Sequence, residues 1–341
     1  MIPQEKTAAV TRALREGLGE TEIEDIRKMT KGRTSALVFR IVAGGRPYLL
    51  RIMMRPNAIL GPEREFTCMR TAAEAGLAPR VWYASADDQI SITDFVEEVP
   101  FPAAEALVRM PALLRALHAL PPFPPGVDAL DTSCMFLTHK GAVLDGFLRK
   151  FREANVLSNA EYDQLFTWHA QLVDVYPRHD PDLVSSHNDL FKPDNILFDG
   201  NRVWLVDWEA AFRNDRYADL AVVANLVVED ATEERIFLET YFGQPPDEYQ
   251  QARFFLMQQM VHMFYAIAFL YLSSMGTPVN RGERAPEFGD FRRRFWAGEI
   301  NVADNPMKAV YGRVHWERLA QNMRPGRFQE ALKIVEDRHG R

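Results

Sequence analysis

The segment Val184 to Ala221 reads VSSHNDLFKPDNILFDGNRVWLVDWEAAFRNDRYADLA, and its pattern decides the fold. Ile196-Leu197-Phe198 is a short apolar run, and Asp199-Gly200-Asn201 is a strong signal for a tight turn. Residues 203–206, VWLV, predict the returning strand. The centre of the segment therefore predicts a β-hairpin with polar residues at its open end.

Oxygen-bearing side chains flank this hairpin. The residue before its first strand is Asn195 and the residue after its second strand is Asp207, and antiparallel pairing brings the two together. Asp189 lies a few residues upstream in the loop His187-Asn188-Asp189. Two carboxylates and an amide oxygen suit Mg²⁺, which prefers oxygen ligands and shares them with nucleotide phosphates. One carboxylate could then accept a proton from a substrate hydroxyl.

These motifs resemble the eukaryotic-like kinase superfamily, and within it the aminoglycoside phosphotransferase and choline/ethanolamine kinase group. The matching residues are His187-Asn188-Asp189, Asn195-Ile196-Leu197, Asp207-Trp208-Glu209 and Asp219-Leu220-Ala221. The resemblance implies that Asp189 is the catalytic base and that Asn195 and Asp207 bind the metal ions that bridge the ATP phosphates. It implies supporting, structural roles for His187 and Asp219.

The catalytic loop departs from the usual spacing of the family. Four residues usually separate the Asp from the Asn, whereas five separate Asp189 from Asn195, so Asp194 occupies the usual position. We prefer Asn195 because it directly precedes the strand, and Asp194 remains the alternative ligand. Lys192 is close enough in sequence to face a phosphate, although an exposed loop lysine is the simpler interpretation.

The rest of the chain predicts an α+β, protein-kinase-like bilobal fold: a small antiparallel sheet with one helix, then a larger and mainly helical part. The predicted elements of the first part are strands over 36–42 and 48–53, a helix over 62–75, and strands over 81–84 and 90–93. Helical periodicity covers 1–27, and helices are expected over 133–175 and 230–341. The predicted lobes are 1–97, which clamps the nucleotide, and 98–341, which carries catalysis and substrate binding.

A cation on the second strand fits the nucleotide-binding role that the resemblance implies. Arg51 shares a strand face with apolar neighbours and therefore needs a partner. Glu65 on the predicted helix is the preferred partner and Glu63 the alternative. The pair matches the strand Lys and helix Glu of the family, with Arg in place of Lys.

Two further segments complete the predicted nucleotide site. The loop before the first long strand contains Thr34 and Ser35, whose hydroxyls could contact phosphate. The adenine edge is expected at the backbone of Asp94, Phe95 and Val96, just after the strand over 90–93. ATP and Mg²⁺ are the implied cofactors.

The acceptor is predicted to be a choline- or ethanolamine-like amino alcohol, with an aminoglycoside or another hydroxylated metabolite as the alternative. Glu209, Glu229 and Tyr265 are candidate contacts, although aromatic residues at helical spacing are usually core. A protein kinase is disfavoured because the chain lacks a glycine-rich GxGxxG loop. Two alternative functions of other classes remain. One is a non-catalytic ATP-binding regulatory module, and the other is a metal-dependent hydrolase.

Composition indicates which kinds of partner and which cellular location to expect for this protein. The net charge of −7 and the lack of a basic run argue against nucleic acid. Cys68 and Cys134 form no CxxC pair, which argues against a zinc site or a disulfide scaffold. The N-terminus lacks a signal-like apolar run, and Met260 to Leu272 is too short to span a bilayer. We therefore expect a cytoplasmic protein without a membrane partner; the oligomeric state is not predicted.

Overall fold

The computed structural model describes residues 2–29, 36–54, 61–124, 142–177, 183–276, 284–324 and 326–339. Two compact units are present. The first comprises Met1–Phe101, Ala116–Val127 and Val184–Arg213, and the second comprises Pro102–Arg115, Asp128–Leu183 and Asn214–Arg341. The predicted division at residue 97 stays a prediction.

The described elements agree with the predicted α+β arrangement. The strands are β1 Asp25–Lys28, β2 Ala36–Ala43, β3 Arg46–Met53, β4 Val81–Ser85, β5 Ile90–Asp94, β6 Leu183–Ser186, β7 Ile196–Phe198, β8 Val203–Leu205 and β9 Phe212–Asp215. The helices are α1 Thr7–Ala13, α2 Pro62–Glu74, α3 Ala103–His118, α4 Ala142–Glu153, α5 Asn159–Val175, α6 Arg216–Val227, α7 Ala231–Phe242, α8 Glu248–Ser274, α9 Phe288–Trp296, α10 Asn305–Asn322 and α11 Arg327–His339.

The first unit is built on a five-stranded antiparallel sheet in the order β1-β2-β3-β5-β4. Side chains alternate across its strands, so the sheet has two distinct faces. Leu50 and Ile52 of β3 are fully buried in a core with Val10 and Leu14 from the N-terminal helical segment. Leu49 and Arg51, on the opposite face of β3, line a cavity.

Local signals fix the turns around this sheet. β2 and β3 are joined by Gly44 and Gly45, whose φ angles of 55° and 69° suit the two-residue turn that matches strand twist. Pro62 occupies the first turn of α2, and Gly76 follows the helix with φ 72°. The hairpin and helix therefore form close to where the sequence predicts them.

The predicted helical periodicity over 1–27 is wrong beyond residue 18. After α1 the backbone makes a π-turn from Leu14 to Leu18, and Gly19 ends it with φ 74°. The chain then forms β1, which pairs with β2 at the sheet edge. All four residues of β1 are exposed, so no alternation of apolar side chains marks it as a strand.

Asp88 joins the N-terminal helix to the sheet. Its carboxylate accepts hydrogen bonds from Arg12 and, at 2.5 Å, from Tyr83, and Lys6 donates to its backbone oxygen at 2.9 Å. The hydrogen bond from Arg12 is the main reason that the pKa of Asp88 lies below its usual value. The Asp88 side chain is only 9% exposed, whereas the Arg12 side chain is half exposed, so solvent partly screens this pair.

We expect Asp88→Ala to lower the free energy of unfolding at neutral pH by about 0.5–1.5 kcal/mol, because hydrogen bonds to its carboxylate are lost while solvent screens the exposed Arg12. Since the folded pKa of Asp88 is depressed, this contribution is present above its unfolded pKa and disappears as pH falls through the folded pKa. Urea unfolding at several pH values measures both effects. The exposed neighbour provides a matched control, Asp87→Ala, and equal stability of the two variants would contradict the role of Asp88.

The second unit is organised around the long helix α8. Arg253 within α8 is fully buried and donates to Asp215 at 2.5 Å, while Tyr176 donates to the same carboxylate at 3.0 Å. Gly312 lets α10 approach closely, because a Cβ there would lie 2.8 Å from Leu270. Polar pairing and close helix contact thus fix the core of this unit.

The apolar stretch from Met260 to Leu272 lies within α8, as predicted for a buried helix. Within the described part of the chain, α8 alone has the length and apolar composition of a membrane span, with a mean hydropathy of 1.4. However, 72% of that window is buried inside the protein. Core helices commonly share this composition, so it is weak support for membrane insertion.

Candidate active site

The hairpin β7–β8 places its flanking polar residues together, as the sequence predicts. Ile196 pairs with Leu205, and one step further out the amide of Val206 donates to the carbonyl of Asn195 at 3.0 Å. At the closed end, Asp199 accepts from the backbone amide of Asn201 at 2.8 Å. The open end therefore carries Asn195 and, directly after Val206, Asp207.

Two non-glycine residues of the site have left-handed backbone conformations. Asn188 has φ 64° and Asp207 has φ 65°. Such conformations are uncommon outside glycine, and they often mark functional sites. The Asn188 amide donates to the carbonyls of Ala210 at 3.1 Å and Phe212 at 3.3 Å. Asn188 therefore ties the Asp189 loop to the segment after Asp207, a role that sequence reasoning missed.

His187 lies directly before Asn188 and Asp189 in the same loop. It is completely buried, and its Nε2 lies 2.9 Å from the carbonyl oxygen of Val206. Because a carbonyl only accepts, Nε2 must carry the proton. The imidazole also lies on the Trp208 ring, with centroids 4.7 Å apart. His187 thus connects the Asp189 loop to the end of β8.

Asp189 is 9% exposed and is held by two donors. Its Oδ2 accepts from Lys192 at 2.7 Å and from Asn195 at 3.0 Å. Burial raises the pKa of Asp189 above its usual value, while the charge of Lys192 opposes that rise. Among the described residues, Oδ1 of Asp189 has no hydrogen-bond partner. One oxygen of a positioned carboxylate therefore stays open to a further donor.

Three carboxylates converge at this point. Oxygens of Asp189, Asp207 and Glu209 all lie within 4.8 Å of one another. Burial, and then repulsion by Asp207, raise the pKa of Glu209. The Asn195 amide nitrogen faces two acceptors, the backbone and side-chain oxygens of Asp189, so its carbonyl oxygen points elsewhere. This all-oxygen donor set fits a hard divalent cation such as Mg²⁺.

Arg51 links this cluster to the sheet. Its guanidinium forms the predicted ion pair with Glu65 and lies 3.4 Å from Asp207 and 3.9 Å from Glu209. Glu65 is buried, whereas the alternative partner Glu63 is exposed. Arg51 is therefore a largely buried cation beside three carboxylates. The guanidinium can bind anionic oxygens such as those of phosphate, while the carboxylates can bind a metal ion.

A cavity of about 600 Å³ adjoins these residues, within the size range of small-molecule sites. Its apolar walls include Val38 and Leu49 from the sheet and Leu197 and Leu205 from the hairpin. Its lining also includes the polar residues Arg51, Glu65, Asp194, Asn195 and Asp207. The segment of residues 94–98 that follows β5, the hinge, completes this part of the lining. The cavity therefore brings the predicted strand cation, helix acid, hinge and metal ligands together.

The hinge segment offers backbone groups to this cavity. The Asp94 carboxylate accepts from Trp82 at 2.7 Å, and the Arg40 guanidinium lies 5.3 Å from the centre of the Phe95 ring. The backbone N–H and C=O groups of Phe95 and Val96 form no hydrogen bond with any residue that the structure describes. They are positioned to pair with a polar ligand edge.

The family model described as "Phosphotransferase enzyme family" matches residues 25–255, about two thirds of the chain. The chain belongs to this phosphotransferase family. The match spans the sheet, the carboxylate cluster and part of the helical unit. Kinases of this family act on small molecules and use ATP. The search of curated proteins found no significant match.

Solved structures show that this phosphotransferase has a protein-kinase-like fold. A choline/ethanolamine kinase family protein from Mesorhizobium loti matches with TM-score 0.66 and 20% identity, over 97% of this chain and 99% of that one. A choline kinase from Cryptosporidium parvum matches with TM-score 0.63 and 12% identity, over 96% and 98%. The streptomycin–ATP–APH(2″)-IIa ternary complex matches with TM-score 0.52 and 15% identity, over 81% and 96%. At these identities the likeness concerns the fold.

Of the remaining predicted residues of the phosphotransferase, none that the structure describes belongs to the carboxylate cluster or lines the adjoining cavity. Thr34 and Ser35 fall outside the described residues. Asp219 is buried in α6, and Glu229 accepts from Arg292 at 2.8 Å, both in the second unit. Tyr265 is 6% exposed, and its ring packs against other aromatic rings of the second unit, as expected of a core residue.

Proposed function

We propose that this phosphotransferase transfers the γ-phosphoryl group of ATP to a hydroxyl of a small metabolite, with Mg²⁺ as cofactor. The observation that carries the proposal is the convergence of Asp189, Asp207 and Glu209 beside Arg51. Carboxylates that can hold a metal, a buried arginine and an adjoining cavity provide the parts that phosphoryl transfer requires.

The cavity supports a specific placement of the nucleotide. Its apolar walls suit a flat base, and the unpaired backbone groups of Phe95 and Val96 suit the polar edge of adenine. Arg51, fixed by Glu65, would bind phosphate oxygens through two donors. The base and the phosphates would then lie at the two polar ends of one cavity.

The metal ligands in this proposal are Asp207 and Asn195, with Asp194 as the alternative to Asn195. Asn195 is 4% exposed and in contact with Asp189, whereas Asp194 is exposed, which favours Asn195. Bound Mg²⁺ would neutralise charge on the phosphate oxygens. Asp207 and Asn195, fixed by the hairpin, keep their oxygens in place for it.

Asp189 is the proposed base. It would accept the proton of the acceptor hydroxyl as that oxygen bonds to the γ-phosphorus and the bond from the γ-phosphorus to the ADP oxygen breaks. Burial of Asp189 raises its pKa, which strengthens it as a base. Lys192 and Asn195 both donate to Oδ2 and so orient the carboxylate.

Lys192 provides a pH test of this role. We expect Lys192→Met to raise the pKa of Asp189 further, because the nearby positive charge that holds it down is lost. Since Asp189 must be ionised to accept a proton, the acid limb of the kcat/KM profile should move to higher pH. Exposed Lys333→Met is the control. An unchanged acid limb in Lys192→Met would argue that Asp189 is not the titrating group.

For the acceptor we propose a choline- or ethanolamine-like amino alcohol. The half-exposed Glu209 carboxylate lies within 4.8 Å of an Asp189 oxygen, which favours a cationic group near the reacting hydroxyl. The Mesorhizobium loti structure, a choline/ethanolamine kinase family protein, covers nearly the whole chain and supports this class at the level of fold. An aminoglycoside shares the same amine and hydroxyl chemistry.

We also propose a cytoplasmic location. Cys68 is a buried free thiol, and burial raises its pKa to about 12, so it is unreactive. Such a thiol is ordinary in a reducing compartment.

The test is a panel of acceptors incubated with ATP and Mg²⁺, with products identified by mass spectrometry. Choline, ethanolamine, aminoglycosides and sugar alcohols represent the candidate classes. A phosphorylated amino alcohol is the expected product. A product from the aminoglycosides or sugar alcohols alone would replace the proposed acceptor class and keep the kinase. Metal-dependent ATP binding without any product would favour the non-catalytic module.

A further inference from the structure

A second cavity lies within the helical unit, enclosed by residues of α6, α7, α8, α9, α10 and α11. Its volume of about 140 Å³ is roughly ten times the space that one water needs. Its polar lining includes Asn225, Gln258, His262, Arg318, Asn322 and Arg327. The cavity is therefore a polar chamber large enough for a small solute.

Arg318 brings a positive charge to this lining. Its guanidinium is half-buried, and it lies 5.2 Å from the centre of the Phe288 ring. Within the described ranges it has no hydrogen bond and no ion pair. Glu287 acts on it electrostatically, but that carboxylate is engaged in capping α9, where it accepts from Asp290 at 2.9 Å. A half-buried guanidinium with unused donors favours an anion.

Each of the three acidic residues that line the cavity has a partner, and one of these partners, Arg327, also lines it. Glu229 accepts from Arg292 at 2.8 Å and Glu234 pairs with Arg327. Asp230 accepts from two backbone amides at the start of α7, at 2.8 and 2.9 Å. The positive charge of Arg318 thus remains available to a ligand.

Asn225 adds a neutral donor. The residue is 8% exposed, and its Oδ1 accepts from Gln258 at 3.3 Å. Its Nδ2 is buried without a hydrogen-bond partner among the described residues. Since buried donors are nearly always paired and Asn225 lines the cavity, its Nδ2 is a candidate donor to a bound ligand.

We propose that this cavity binds a compact oxyanion, a carboxylate or a phosphate group, held by the Arg318 guanidinium and the Asn225 amide. The guanidinium suits the two oxygens of such a group, and the Nδ2 of Asn225 would donate to one of them. The site belongs to the second unit and does not depend on phosphoryl transfer.

Isothermal titration of the full chain with inorganic phosphate, and separately with acetate, tests the proposal. Arg51→Gln serves as the background, because phosphate could also bind near Arg51. In that background we expect one bound anion per chain. Arg318→Gln should weaken it at least tenfold, and exposed Arg324→Gln is the matched control. Asn225→Asp keeps the side-chain size, adds a negative charge, and should also weaken binding at least tenfold.

Binding of either anion that both cavity variants weaken would support the site, and the tighter anion would identify the ligand as phosphate or carboxylate. No binding of either anion in the Arg51→Gln background would mean that water fills the cavity, and would overturn the proposal. Binding unchanged in Arg318→Gln or in Asn225→Asp would also overturn it. If circular dichroism shows that one of the two cavity variants is unfolded, the anion affinity of the other variant tests the site.

Discussion

Asp189→Asn should lower kcat by about 10²–10⁴-fold, the usual contribution of a positioned general base, while ATP binding changes little. Asn keeps the size of Asp and an oxygen that accepts from Lys192 and Asn195, so the loop should retain its conformation. What disappears is the capacity to take the hydroxyl proton. The expected effect is therefore on turnover, measured as kcat with the acceptor found in the panel.

Asp87→Asn controls for the chemical change at an exposed site of the same unit. ATP affinity, measured by calorimetry on both variants, separates loss of the base from loss of the nucleotide site. Near-normal kcat in Asp189→Asn would remove Asp189 from the proposed role. A large loss of ATP affinity would instead place Asp189 among the groups that hold the nucleotide.

Asp207→Asn should weaken ATP binding in the presence of Mg²⁺ by at least 10–100-fold, since even outer partners of metal ligands have effects of that size. Asn is the better substitution here than Ala. Asp207 has φ 65°, a conformation that Asn tolerates and that would strain Ala. A loss of affinity in Asp207→Asn therefore reports the carboxylate rather than a distorted backbone.

The same titration with EDTA in place of Mg²⁺ is the control, and there wild type and Asp207→Asn should bind ATP equally. Asp194→Asn, measured in parallel, addresses the alternative ligand in the loop. If Asp194→Asn loses metal-dependent affinity and Asp207→Asn does not, the proposed ligand set is wrong. Loss in Asp207→Asn alone would support the carboxylate at the end of β8.

The parts of the site that the sequence predicts well are those fixed by local geometry. The tight turn at Asp199 and the short strands around it leave one possible pairing, so Asn195 and Asp207 must meet. Arg51 and Glu65 were predictable for a similar reason, because strand alternation and helical periodicity place each on an inward face.

Other features depend on contacts that a sequence pattern does not record. β1 is an exposed edge strand whose only signal is pairing with β2, and the preceding π-turn interrupts a helical pattern that reads as continuous. Asn188 acts through hydrogen bonds to carbonyls more than twenty residues away. Its one local signal is the tolerance of Asn for left-handed backbone.

Glu209 is intermediate between residues that local geometry places and residues that distant contacts place. Its neighbourhood in sequence indicated the site, but its convergence with Asp189 follows from the short 3₁₀ turn Trp208–Ala210 after Asp207. Tyr265 shows the opposite case. Its helical spacing was compatible with a ligand surface or with core, and only packing against Phe269 and Tyr311 distinguishes the two.

The most direct test of the central claim follows the γ-phosphoryl group itself. Wild-type protein and Asp189→Asn are incubated with ATP labelled at the γ-phosphate and an amino alcohol, with Mg²⁺ or with EDTA. We predict label in the small-molecule product for wild type with Mg²⁺, and little or none in the other three samples. Label released only as inorganic phosphate, or transfer that Asp189→Asn supports as well as wild type, would contradict the account.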